Sequence, residues 1–203
     1  MDNSALFKVG YGLYVLTAAS QDGSSDNGCI INTVMQVTSE GKIKFLISVN
    51  KNNYTLDMIL KSRVFNVSLL TTETPFELIK RFGFQSGRDT NKFDGFNHTA
   101  KSENGALYLT EYANAYISFK LLDTVDCDSH TVLVAEVTDA KNLSDKDSLT
   151  YDYYHKNIKP KPQPAKSAGW RCKICGYIYE GEELPADFVC PICKHGASDF
   201  EKI

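Results

Sequence analysis

Six cysteines occur in this 203-residue chain, and four of them stand near its end in two pairs of identical spacing. Cys172 and Cys175 form one CxxC pair and Cys190 and Cys193 the other, with fourteen residues between the pairs. A CxxC turn makes two thiolates converge while backbone N–H groups point at the sulfurs, so two facing turns give a tetrahedral four-sulfur metal site. Zinc and iron both accept such a site, and spacing alone does not choose between them. The tail around the cysteines, residues 169–203, is too small to bury a self-sufficient core, so the metal supplies the missing stability. Two disulfides would need an oxidising compartment, for which nothing else in the sequence speaks.

A second group of residues suits an anion. Ser48-Val49-Asn50-Lys51-Asn52-Asn53-Tyr54-Thr55 runs from an alternating strand into a helix start. Unpaired N–H groups, the positive end of the helix dipole and short Asn and Thr side chains together fit a single phosphate. The same residues are common helix caps, so the motif has two readings by itself. Two further segments carry interleaved polar residues, the strand from Asn32 to Ser39 and the Gly-containing, basic loop from Phe82 to Phe93. His130, in Ser129-His130-Thr131, is able to donate to a developing negative charge, or simply to bond backbone at a strand start. Cys29 and Cys127 read as small hydrophobes, the latter within a polar loop, and His98, His155 and His195 as surface residues. Tyr153-Tyr154-His155 follows the last elements of the body and is placed to cover a ligand there.

The elements that must position these residues are mostly strands. Ile43, Phe45, Ile47 and Val49 alternate with Lys44, Leu46 and Ser48, and the same period of two runs through residues 115–121 and 65–69. Residues 12–18, 29–38 and 131–138 are further strands, rich in Val, Ile, Thr and Tyr. One helix starts near Asn53 and is expected to bury Leu56, Ile59 and Leu60. Another is expected at Thr74-Pro75, with Thr74 as N-cap, Pro75 at the first helical position and Glu77 completing a capping box. The pattern predicts a mainly antiparallel barrel or sandwich with a few short helices.

Residues 156–168 read KNIKPKPQPAKSA, with prolines at alternate positions, which makes an extended, semi-rigid linker. The expected domains are therefore 1–158, a linker at 159–168 and the cysteine domain at 169–203. Net charge is −3, and no basic run is long enough to track a nucleic-acid backbone. The first residues carry no signal-peptide pattern and no apolar stretch approaches membrane-spanning length, so a cytoplasmic protein without membrane or nucleic-acid partners is expected.

The tail resembles the rubredoxin family through its WxCxxCGYxY…CPxC…F pattern, which runs from Trp170 to Phe200. Its aromatic residues would keep water off the sulfurs and tune a redox potential, which favours iron. The gap between the pairs is short, as in compact rubredoxin modules fused to other proteins, and Lys194 stands where a glycine usually follows the last cysteine. The body is similar to the flavin reductase-like family with its FMN-binding split β-barrel. The likeness rests on Tyr11-Gly12-Leu13-Tyr14 and Ser129-His130-Thr131 together with the three segments above. Joined, the two parts resemble the high-molecular-weight rubredoxins, fusions of a flavoprotein to a rubredoxin.

That resemblance implies a homodimer, FMN reduced by NAD(P)H, one iron ion in a Cys₄ site and onward delivery of electrons to a flavodiiron protein. It implies that Asn32, Thr33, Gln36, Thr38 and Ser39 run beside the flavin ring and ribityl chain, and that Asn50, Asn53 and Thr55 form the phosphate loop. Ser86, Gly87, Arg88 and Lys92 would approach the cofactor from a loop, across the dimer interface, and His130 would be the catalytic candidate. Ala135 replaces a glycine frequent in the family, and its methyl is expected to narrow the space beside the ring. Two rivals keep the barrel but change the role. One is a flavin reductase that releases reduced flavin and carries a structural zinc ribbon; the other is a ligand-sensing barrel with a zinc ribbon for protein contact.

Overall fold

Alternation along the body's strands demands a sheet with one buried face, and seven strands provide it. In the computed structural model, which describes residues 5, 8–160, 169–174, 176–191 and 195–203, the chain divides into two units, Met1–Asn157 and Ile158–Ile203. In the first unit, β1 (Tyr14–Ala19), β2 (Asp26–Ile31), β3 (Val34–Gln36) and β4 (Lys44–Asn50) precede helix α1 (Tyr54–Ser62). Then come β5 (Val64–Leu70), α2 (Phe76–Gly83), the small β6–β7 ribbon (Thr99–Lys101 and Leu107–Leu109), and the long strands β8 (Ala113–Cys127) and β9 (His130–Asn142). The sheet order is β2-β1-β5-β8-β9-β4-β3, and every pair is antiparallel.

The two edge strands of this sheet are neighbours in sequence, with only Asn32 and Thr33 between them. Three Cα steps reach at most about 10 Å, so the sheet must curl until its edges nearly meet. The result is a barrel with a split between β2 and β3, where the Ser48 N–H donating to the Thr33 carbonyl at 3.2 Å extends the β3–β4 ladder up to the crossing. Inside it lie Leu16, Ile47, Val49, Phe65, Val67 and Leu133, and Phe119 stacks on Phe65 at 5.2 Å. The expectation of a mainly β barrel with short helices holds.

Several local expectations need correction. Residues 29–38 are not one strand, because the chain breaks at Asn32–Thr33 to pass from one sheet edge to the other. Helix α1 packs on β1 and β2 through Thr55, Leu56, Met58 and Ile59, whereas Leu60 is 43% exposed. At 100° per residue Leu60 turns off the stripe that Thr55, Leu56 and Ile59 share. Thr74 does not cap α2. Its hydroxyl donates to the Thr71 carbonyl at 2.7 Å, Pro75 takes the cap position, and Glu77 is 3.8 Å from Lys80 instead of closing a capping box. Cys127 is exposed at the end of β8. The methyl of Ala135 is fully buried in the core cluster, so it does not narrow any space outside the barrel.

In the second unit β10 (Trp170–Cys172) lies between β11 (Ile178–Tyr179) and β12 (Phe200–Lys202) in a three-stranded antiparallel sheet.

Candidate active site and metal centre

Because Ile47 and Val49 point into the barrel, the pleat turns Ser48 and Asn50 outward. Asn50 is directly opposite His130, the first residue of β9, and Asn32 reaches the same region from the split. Asn53 arrives from the start of α1. Together with Leu13, Ile30, Ile31 and Tyr151 these residues line a cavity of about 210 Å³. Four of the sequence-predicted residues, Asn32, Asn50, Asn53 and His130, thus converge from three separate segments, the β2–β3 crossing, the β4–α1 turn and the start of β9.

The local bonding prepares this cavity for an anion. The turn is tied by Asn53 N–H donating to the Asn50 carbonyl at 3.0 Å and Asn52 N–H donating to Asn50 Oδ1 at 2.9 Å. Asn53 is the N-cap of α1, yet its side chain makes no capping hydrogen bond. The Leu56 N–H donates to the Asn53 carbonyl at 3.0 Å, so the N–H groups of Tyr54 and Thr55 and the positive end of the dipole are what is left for a ligand. His130 Nδ1 is 2.9 Å from the Ser129 hydroxyl, so Nε2 is the nitrogen left to meet a bound molecule.

The remaining predicted residues take other places. The Thr55 hydroxyl is buried and donates to Asn27 Oδ1 at 2.9 Å, away from the cavity. Thr33 donates to Asn32 Oδ1 at 3.1 Å and so orients that side chain. Gln36 ends β3, and Thr38 and Ser39 belong to the β3–β4 turn; Gln36 Nε2 donates to the Thr38 carbonyl and Thr38 Oγ1 to the Lys42 carbonyl. Ser86 Oγ accepts from the Arg88 N–H, and Arg88 pairs with Asp57 and lies 5.1 Å over the Tyr54 ring. Gly87 and Arg88 line a separate cavity of about 460 Å³ with Asn27 and Tyr54. A Cβ at Gly87 would come within 2.0 Å of the Asn27 amide, so only glycine lets this loop lie so close to β2. Lys92 is buried, its ammonium donating to the carbonyls of Gly28 at 2.9 Å and Phe82 at 3.0 Å, and burial pushes its pKa down. It anchors the loop and is not available to a ligand.

Sequence reasoning placed Ser48 in the anion-binding stretch without giving it a role of its own, and it missed Tyr151 as a lining residue. Ser48 carried a signal, since it shares the outward parity of Asn50 two residues on. Tyr151 carried none, because it returns to the site about twenty residues after His130 through the long β9 and the loop beyond it.

In the tail, Cys172 and Cys190 are both buried. The Gly176 N–H donates to the Cys172 carbonyl at 2.9 Å, with Gly176 at φ 81°, and the Cys190 N–H donates to the carbonyl of exposed His195 at 2.8 Å. Around them Phe188 packs on Tyr179 at 4.7 Å, on Phe200 at 5.3 Å and on Tyr177 at 6.5 Å. Two thiols sunk in an aromatic shell fit half of a four-sulfur site. Cys175, Cys193 and Lys194 lie outside the described residues.

The sequence profile of the flavin reductase-like domain matches residues 6–161, and that of the rubrerythrin and rubredoxin-like domain matches residues 170–201. The chain belongs to the flavin reductase-like family. Its barrel and its rubredoxin-like domain recur together in the high molecular weight rubredoxin of Moorella thermoacetica, 36% identical over an alignment that covers 100% of both chains. The ferric-chelate reductase (NAD(P)H) of Archaeoglobus fulgidus is 38% identical and covers 79% of this chain and 93% of its own. Among solved structures, the flavin reductase-like barrel is shared with an NADH:FAD oxidoreductase of Streptomyces globisporus, at TM-score 0.63 and 21% identity, covering 73% of this chain and 88% of that one. A flavin reductase domain protein of an Arthrobacter species matches at TM-score 0.61 and 18% identity, covering 73% and 90%.

Proposed function

We propose that the chain is an NAD(P)H-dependent electron-transfer flavoprotein that passes electrons through FMN to a Cys₄ iron centre on its own tail. The observation that carries the proposal is the convergence of Asn32, Asn50, Asn53 and His130 beside a helix start that no side chain caps. When bound, FMN would supply the step between a two-electron hydride donor and an iron that takes one electron at a time. Asn53 and the first N–H groups of α1 would hold its phosphate. Asn32 and Ser48 would lie along the cofactor, and His130 Nε2 would donate to it or to the nicotinamide. Cys172, Cys175, Cys190 and Cys193 would hold the iron, with Tyr177, Tyr179, Phe188 and Phe200 excluding water from the sulfurs.

Several finer points belong to the same proposal. The similarity to a ferric-chelate reductase (NAD(P)H) that lacks the tail supports NAD(P)H as donor to the barrel. A cavity of about 210 Å³ is smaller than the several hundred Å³ of a usual ligand site, which supports a homodimer in which a second copy completes the wall. Domain limits at 158 and 169, a cytoplasmic location and a flavodiiron protein as acceptor complete the reading. No helix among the described residues is long and apolar enough to cross a membrane.

The visible spectrum of the purified protein tests the proposal. Flavin bands together with ferric-thiolate bands are expected. A flavin spectrum alone would point to a reductase with a zinc ribbon, and a colourless protein would refute both.

A further inference from the structure

A larger cavity, about 890 Å³, lies on the barrel beside the candidate flavin site and shares Tyr151 with it. Its floor is preformed. Leu13 N–H donates to the Leu149 carbonyl at 3.0 Å, Leu149 N–H to that of Leu70 at 2.7 Å, and Leu70 N–H to that of Leu13 at 3.3 Å, which closes a ring of backbone bonds. The Tyr14 phenol lies across Gly12, where a Cβ would come within 2.1 Å of its hydroxyl, so glycine is needed for the ring to line the groove. Tyr151 stands edge-on to Tyr11 at 6.5 Å.

The chemistry of the buried part of this lining is one-sided. Tyr14 and Tyr151 are half-buried, and their hydroxyls hydrogen-bond to no described residue. Burial raises the pKa of each, so both remain protonated donors. Apart from Gly12, the other buried and half-buried lining residues are aliphatic or aromatic, with Leu69, Leu70 and Leu149 among them, while Lys8, Ser148, Thr150, Asp152 and His155 also line the cavity and are exposed. Such a groove favours a flat apolar ring, and its unpartnered phenols favour a ligand that brings only acceptors. A phosphate-bearing ligand would find no buried cation there to offset its charge.

We propose that this groove binds a neutral cyclic diketone of the quinone class, with its carbonyl oxygens accepting hydrogen bonds from Tyr14 and Tyr151. The volume falls within the range of small-molecule sites. The inference does not depend on flavin occupying the neighbouring cavity.

Duroquinone is the probe, because its methyl groups block addition to the exposed thiol of Cys127. Its binding to the full-length protein is measured by calorimetry, with durene, the same ring without oxygens, as control. Tyr14→Phe and Tyr151→Phe should each weaken duroquinone by about 3- to 10-fold, the worth of one neutral hydrogen bond, and leave durene unchanged. Asn53→Ala should leave duroquinone binding unchanged, since Asn53 lines the smaller cavity and not this groove. Absence of duroquinone binding, equal affinity in the Tyr14→Phe/Tyr151→Phe double variant, or weakening by Asn53→Ala would each overturn the assignment.

Discussion

Asn53→Ala separates a ligand-binding asparagine from a helix cap. Asparagine at an N-cap ordinarily contributes about 0.5–2 kcal/mol through a side-chain hydrogen bond to the helix. Asn53 makes no such bond, so α1 loses nothing of that kind when the amide is removed. The thermal midpoint of the flavin-free protein should therefore stay within about 1 °C of wild type, since a shift of several degrees accompanies each lost kcal/mol. FMN affinity should respond differently. A hydrogen bond to a charged group is worth roughly 1.5–3 kcal/mol, so affinity should fall about 10- to 150-fold in a fluorescence titration of flavin-depleted protein. Binding should persist, because the N–H groups and dipole at the α1 start remain, worth about 0.3–1 kcal/mol for a nearby anion. A lower melting temperature with unchanged FMN affinity would show that Asn53 serves the helix alone, and the phosphate site would have to move.

Two further variants address the tail and the barrel loop. Cys190→Ser should abolish or scramble the iron absorption bands while flavin content stays at wild-type level; an unchanged iron spectrum would refute the Cys₄ site. Lys92→Met leaves the Gly28 and Phe82 carbonyls without their donor and should destabilise the barrel by about 1–3 kcal/mol in denaturant titrations. It should also change the pH dependence. Burial lowers the pKa of Lys92 from the ordinary 10.5, so between the lowered value and 10.5 the unfolded chain holds a proton that the folded one lacks. Wild-type stability therefore gains a contribution that rises with pH across that window. The difference between wild type and Lys92→Met should grow over the same range, and a difference independent of pH would refute the buried, weakly basic lysine.

Much of the fold was legible because period-two alternation survives translation into a sheet. The Ile43–Val49 pattern placed β4 with its polar residues outward, and Asn50 and His130 then met because their strands pair. The spacing of the four cysteines needed no fold at all. What could not be read was the direction of polar side chains at element ends. Thr55, Thr74 and Lys92 look like ligand-binding or capping residues by type, yet burial turned them toward Asn27, the Thr71 carbonyl and the carbonyls of Gly28 and Phe82. Local pattern carries no information on such long-range partners. Nor does it show that the two edges of the sheet meet at Asn32–Thr33, which is a property of the strand order.

The order of electron flow tests the central claim most directly. The candidate flavin cavity and the groove beside it are lined by barrel residues, while Cys172 and Cys190 of the tail are buried, so hydride should enter at the flavin and iron should be reduced only through it. In stopped-flow absorbance after mixing with NADH or NADPH, flavin bleaching should precede loss of the ferric-thiolate band. A chain ending at residue 165 should still bleach with the nicotinamide. Iron reduced before flavin, or at full rate in flavin-depleted protein, would contradict the account.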